Sequence, residues 1–213
     1  MPLLILGKDI SNYMKIDPTL DAIRVTPRPP ETGRTFYHVA SPTGAITTVA
    51  ANAPVFQLQN QSTDLLLIKR VKICFTLTTA FSAAQYLDFG LIVARGITTY
   101  GSGGTNIPLI GSNCKLMSDA GTVLNAGCRI ATTAALTTGT RTLDTYYMGQ
   151  AGAWMGAIGA MIPLTTLFES VPGKYYLTLA QGEGIEIAPI TLMGTTGVGY
   201  LGVTVEFADA QSY

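Results

Sequence analysis

The chain has 213 residues and a mass of 22.5 kDa, with 13 Lys+Arg balanced by 13 Asp+Glu. A chain of this length buries a core without disulfide or metal staples, and a zero charge balance excludes a polybasic nucleic-acid tail or a basic membrane-binding face. Charged residues are only 12% and hydrophobic residues 47%, so its surface must be covered by neutral polar residues, 29 of them threonine, or by neighbouring subunits.

At the N-terminus the apolar run Leu3 to Leu6 is short, lacks a basic lead and is followed by Lys8 and Asp9, so it is not read as a signal peptide. Residues 1–50 hold Pro2, Pro18, Pro27, Pro29, Pro30 and Pro42, a density that prevents long helices and favours extended chain. Their charges mix Lys8, Lys15, Arg24, Arg28 and Arg34 with Asp9, Asp17, Asp21 and Glu31. This segment is expected to be an extended, non-basic arm along a neighbouring subunit, with Tyr13 and Ile16 as apolar contacts, and residues 51–213 are expected to form a single domain.

From Leu65 to Leu77, Leu65, Leu67, Val71, Ile73, Phe75 and Leu77 share one parity, against Arg70, Lys72, Cys74, Thr76 and Thr78 on the other. That period of two predicts a long strand. The stretch from Tyr86 to Arg95 repeats it, with Leu87, Phe89, Leu91 and Val93 inward. Tyr175, Leu177 and Leu179 alternate before the turn Gly182-Glu183-Gly184, and Ile185 and Ile187 follow it, which reads as a hairpin or a strand corner. Leu201, Val203, Val205 and Phe207 close the chain on a strand. Weaker strands are expected at 35–40, 45–50, 55–60, 129–135 and 141–146. Eight or nine strands without alternating helices predict an all-β, antiparallel sandwich of the jelly-roll kind.

Two long connections interrupt the pattern. Residues 96–128 are rich in Gly, Ser and Asn, and residues 136–173 contain the run Met148 to Leu164, which carries no charge. This run has a Gly152-x-x-x-Gly156 pair and Ala151, Met155, Ile158 and Ile162 near helical spacing. Its length and four glycines are poor for a spanning helix. It is read as a loop or short helix buried against the domain or another subunit, with core burial and membrane contact as the alternatives. Trp154, Met155, Ile158 and Met161 are its expected interface residues, Trp being a frequent anchor at interfaces.

Chemistry-bearing motifs are scarce. Gly197-Val198-Gly199-Tyr200-Leu201-Gly202 has the letters of the dinucleotide fingerprint but precedes a strand instead of opening a helix. His38 is the sole histidine, which removes multi-histidine metal sites and leaves no local signature for a nucleophile–base pair. Cys74, Cys114 and Cys128 make neither a Cys-x-x-Cys nor a disulfide framework. Asn60-Gln61-Ser62 fits the glycosylation sequon but is read as chance. Glu183 and Glu186, three apart, point to opposite faces of a strand and read as a solvated turn with one paired or edge carboxylate. Lys69, Arg70 and Lys72 read as a salt-bridged strand rim, with Asp64 and Asp88 near in sequence. No catalytic residue, cofactor or metal is expected.

Several pieces occur in a telling order: Ala53-Pro54-Val55-Phe56, then Leu66, Ile68, Lys69, Arg70 and Val71, then Leu136-Thr137-Thr138-Gly139-Thr140. They are followed by Tyr176-Leu177-Thr178-Leu179-Ala180, by Gly182-Glu183-Gly184-Ile185-Glu186-Ile187 and by Val203-Thr204-Val205-Glu206-Phe207. Over residues 50–210 this order resembles tailed-bacteriophage virion proteins with β-sandwich or jelly-roll folds. The resemblance implies a non-enzymatic subunit of a virus particle, made in the host cytoplasm, that binds copies of itself and other virion proteins. The charge balance and the short, glycine-rich apolar run, for their part, lead to the expectation of no sequence-specific nucleic-acid contact and no membrane contact. The competing expectation is a carbohydrate- or receptor-binding sandwich, which predicts exposed aromatics in the 96–128 loop. A hydrolase on a β scaffold is the third class, and the lack of any partner for His38 counts against it.

Overall fold

A computed structural model describes residues 15–17, 22–24, 36–99, 101–109, 114, 126–171 and 176–210. The chain divides into two compact units, Met1–Thr32 and Gly33–Tyr213. In the first, β1 (Lys15–Asp17) and β2 (Ala22–Arg24) form an antiparallel pair in which Ile16 lies opposite Ile23. Tyr13 lies outside the described residues.

The second unit begins with β3 (Phe36–Pro42), β4 (Phe56–Asn60), β5 (Leu65–Thr79) and β6 (Gln85–Arg95). Short strands β7 (Thr105–Asn106), β8 (Ala126–Ile130) and β9 (Thr142–Leu143) follow. Then come β10 (Gly149–Met155), β11 (Met161–Glu169), β12 (Leu177–Leu179), β13 (Gly184–Pro189) and β14 (Val198–Ala210). Among the described residues there is no helix.

One sheet has the order β11-β5-β14-β3 and the other β10-β6-β13-β4-β8-β7, with every pairing antiparallel. The topology is that of a long hairpin rolled up. Its first limb, β3 to β6, pairs in reverse order with its second: β6 with β10, β5 with β11, β4 with β13 and β3 with β14. The expected jelly-roll sandwich is therefore the observed one. Alternation drives it, since each principal strand turns one apolar row toward the other sheet. Leu87, Phe89, Leu91 and Val93 of β6 and Leu201, Val203, Val205 and Phe207 of β14 are all buried. Phe75 and Phe89 meet in this interior at 5.3 Å between ring centroids, and Tyr37 stacks on Phe207 at 5.4 Å.

Four expectations are corrected. Residues 36–50, assigned to the arm, start with β3, an edge strand of the sandwich paired along β14. Residues 45–50 form no strand, only a bridge from Ile46 to Gly199. In β5, Leu66 and Ile68, not Leu65, share the inward row with Val71, Ile73, Phe75 and Leu77. The reason is a bulge: Glu206 lies opposite Arg70 and Phe207 opposite Ile68, so Lys69 is an extra residue that reverses the parity.

Of the two readings of Leu177–Leu179 and Gly184–Pro189, hairpin or strand corner, the corner is the observed one. Leu177–Leu179 joins β5 and Gly184–Pro189 joins β4 and β6, so the turn between them carries the chain from one sheet to the other. Finally, Met148 to Leu164 is neither loop nor helix. It holds β10, the turn 156–160 and the start of β11, the adjacent edge strands of the two sheets.

Candidate interface

The apolar segment becomes β-structure because its glycines admit close neighbours. The Tyr86 hydroxyl and the Asp88 Cβ lie where a side chain on Gly152 would stand, and the Leu167 carbonyl lies where one on Gly149 would stand. In the turn, Gly159 has φ 86°, a conformation that costs glycine little. The turn is fastened to β5 by Gly159 N–H to the Leu77 carbonyl at 2.8 Å and Leu77 N–H to the Ala160 carbonyl at 2.9 Å. Pro163 is tolerated because β11 is an edge strand with an irregular register between Ile162 and Thr165.

This geometry separates the expected interface residues. Trp154 is 70% exposed, Ile158 72% and Met161 57%. Met155 is fully buried, because it falls on the inward parity of β10, one residue after Trp154, and so belongs to the core and not to a contact surface. Ile16 lies in β1 of the first unit. Trp154 stands opposite Tyr86 in the register and meets its ring edge-on at 6.1 Å. Sequence reasoning missed Tyr86, Leu164, Leu192 and Tyr200, all exposed. Their outward parity within strands, or their position in the connection after β13, was the available signal.

Charged groups lie elsewhere. On the outer face of the β5 sheet, Arg70 sits between Glu206 of β14 and Glu169 of β11, both directly opposite it in register. Of the rim expected from sequence, Arg70 finds its partners across the sheet, in Glu206 and Glu169. Arg95 binds Asp144 at 2.8 Å and Glu183 at 2.7 Å, tying β6 to two turns. Exposed pairs of this kind contribute little stability each.

The outer face of the β6 sheet is covered by the chain between β8 and β10. The Tyr147 ring occupies the space beside Gly90, its hydroxyl reaches Asn52, and Asp88 accepts from the Thr191 hydroxyl at 2.8 Å. Glu186, expected on a solvated turn as a paired or edge carboxylate, is paired but fully buried here. It accepts from Arg141 Nε at 2.7 and 2.9 Å through its two oxygens and from Gln57 Nε2 at 2.9 Å. Gln57 Oε1 in turn accepts the Gly101 N–H at 3.2 Å. Burial pushes the Glu186 carboxyl above its ordinary range, while Arg141 and Gln57 draw it back down. This network fastens both long connections to the sheet.

His38 lies on β3 opposite Glu206. Among the described residues no three His, Cys, Asp or Glu side chains are placed to hold a metal ion, and no helix is long and apolar enough to cross a membrane. Cys114 and Cys128 are buried and Cys74 is half-buried. Burial pushes the Cys128 thiol far above its ordinary value, so it supplies almost no thiolate near neutral pH. A maleimide is expected to modify Cys74 first and Cys128 more than roughly a thousandfold more slowly, because the latter must await an opening worth about 5 kcal/mol or more. Mass spectrometry of peptides over time reads this directly, and equal rates at the two sites would contradict it. Comparisons with protein-family models, with curated proteins and with solved structures find no match for this chain.

Proposed function

We propose that the protein is a non-enzymatic structural subunit of a virus particle, which works by binding copies of itself and other virion proteins through apolar contacts. The observation that carries the reading is the pair of edge strands β10 and β11, which hold Trp154, Met161 and Leu164 in water and join at a turn that exposes Ile158. Large apolar side chains grouped on one edge mark association sites, and β10, which carries neither charge nor proline, lacks the usual defences of an edge strand against pairing. The jelly-roll fold is compatible with the reading but does not carry it, since one fold hosts many functions.

The test is the solution mass of the full chain, with negative-stain images, at two concentrations and two salt levels. Assemblies that grow with concentration and persist at high salt are expected, because apolar burial is not screened. Trp154→Asp is expected to weaken association by about 30-fold or more, the effect of losing a 2 kcal/mol anchor, with an unchanged circular dichroism spectrum. A chain that stays at 22.5 kDa under all four conditions would end the self-assembly reading. The second reading, a carbohydrate- or receptor-binding module, draws on the exposed Trp154–Tyr86 pair. It would gain from glycan binding by a monomer that Trp154→Asp abolishes.

A further inference from the structure

Five stretches of fifteen or more residues contain no Asp, Glu, Lys, Arg or His: residues 39–63, 73–87, 96–114, 145–168 and 187–205. All but 96–114, though far apart along the chain, send a connection to the same end of the sandwich. The β3–β4 connection meets the β13–β14 connection through Met193 N–H to the Val49 carbonyl at 2.9 Å. The β5–β6 connection meets it through Ser82 N–H to Thr196 Oγ1 at 2.7 Å, and the Phe81 ring fills the space beside Gly197. The β10–β11 turn closes the group, its Gly156 lying close against Ala84.

Among the described residues, the two outer faces around this end also lack charge. On one, Met161, Thr76 and Tyr200 form a row across β11, β5 and β14. On the other, Trp154 and Tyr86 form a row across β10 and β6, and Asp88, the nearest carboxylate on β6, is buried and accepts from Thr191. Between the rows stand Ile158 and Leu192, 72% and 62% exposed.

From this arrangement we infer that the charge-free end is one continuous contact surface and that its occupant is the charge-free end of a second copy of this chain. The inference rests on the self-association proposed above and names the surface that performs it. Two arguments select the occupant. The first is electrostatic. A charged partner finds nothing complementary here, whereas a like copy meets no like-charge repulsion.

The second is area. With side chains of roughly 150–250 Å² for the aromatics and somewhat less for the aliphatics, the exposed residues at the edge and turn, Trp154, Ile158, Met161 and Leu192, present on the order of 500 Å², the larger part of the ~800 Å² per partner of a standard interface. Tyr86 and Tyr200, on opposite outer faces, lie at its margins. A lipid surface fits less well, since the rows and the turn between them carry no Lys or Arg to meet anionic headgroups.

The experiment uses Leu192, which lies on a different connection from Trp154 and whose exposed side chain can be replaced without opening the core. Leu192→Asp and Leu192→Lys are measured by sedimentation velocity, separately and mixed in equal amounts, beside the unmodified chain. Each alone is expected to associate at least tenfold more weakly, and the mixture to regain association, because opposite charges then face each other across a contact between like ends. Ile158→Asp and Ile158→Lys form a second pair with the same expectation, and thermal midpoints within a few degrees of the parent establish folding.

Three outcomes overturn the inference: variants that associate as the parent does, a mixture that stays apart, or a parent that floats with phosphatidylcholine vesicles instead of binding its own copies. If Trp154→Asp dissociates the assembly while the Leu192 pair leaves it intact, the proposed function stands and this surface does not. A parent that is monomeric throughout overturns both.

Discussion

Arg141→Ala is expected to cost about 3 kcal/mol of folding stability at pH 7, the lower end of the range for stripping one partner from a buried ion pair. Glu186 is fully buried and would keep only Gln57 as a side-chain partner, while Arg141 itself touches water at 16% of its side-chain surface, which moderates the loss. The sign of the pH dependence follows from the Glu186 carboxyl, which burial raises above its ordinary range even with Arg141 present. In the window between the unfolded and folded values, the folded state binds more protons than the unfolded one, so this group's contribution to stability falls as pH rises. Removing Arg141 takes away one of the two influences that lower the folded value, and so widens the window. The deficit of the variant relative to the parent is therefore largest at neutral pH and shrinks on acidification, as the carboxyl becomes neutral.

Guanidinium unfolding of both proteins at pH 7 and pH 5 measures that difference, and effects common to both cancel. The double variant Arg141→Ala with Glu186→Gln is expected to lose less than Arg141→Ala alone, because no buried charge is then left unpaired. A deficit independent of pH, or a double variant that simply sums the two losses, would show that the pair contributes packing and not charge.

Phe75→Ala is the core substitution with the largest expected loss, about 3–5 kcal/mol from transfer and cavity terms together. The ring lies in the middle of β5, fully buried, and meets Phe89 of the opposite sheet at 5.3 Å with a 40° tilt. It also fills the space a side chain would need at Gly199, where an added Cβ would collide with the ring. Gly199→Ala should therefore destabilise the parent, and part of that cost should vanish in a Phe75→Ala background. The remainder comes from the Thr76 carbonyl, which an added Cβ would approach to 2.7 Å. Urea midpoints of the four proteins read the coupling. Strict additivity would mean that the ring and the glycine do not share this space.

How much of this was legible beforehand depends on the range of the interaction involved. Period-two alternation is a property of neighbours, and it located β5, β6 and β14 and the all-β class from their own residues. The scarcity of charge and the presence of a single histidine are likewise sums over the chain. Trp154, Met155, Ile158 and Met161 were expected as contacts buried against the domain or another subunit, yet Trp154, Ile158 and Met161 stand exposed on this chain and Met155 lies in the core. Helical spacing and strand parity place it differently, and glycines made the choice between them ambiguous.

Tertiary structure decided the rest. Lys69 is extra only relative to β14, so the parity reversal in β5 has no local signature. Residues 35–40 read as a weak strand within a proline-rich arm, and only β14 makes Phe36–Pro42 an edge of the sandwich. Glu186 looks like a turn carboxylate until Arg141, 45 residues away, covers it. Four of the five uncharged stretches, each visible in the sequence by itself, form a single surface only because the rolled hairpin returns a connection from each to the same end. Composition and alternation act within a strand's length and can be read from the chain itself. Bulges, buried charge partners and surfaces assembled from distant connections exist only through contacts between segments, which is why folding alone reveals them.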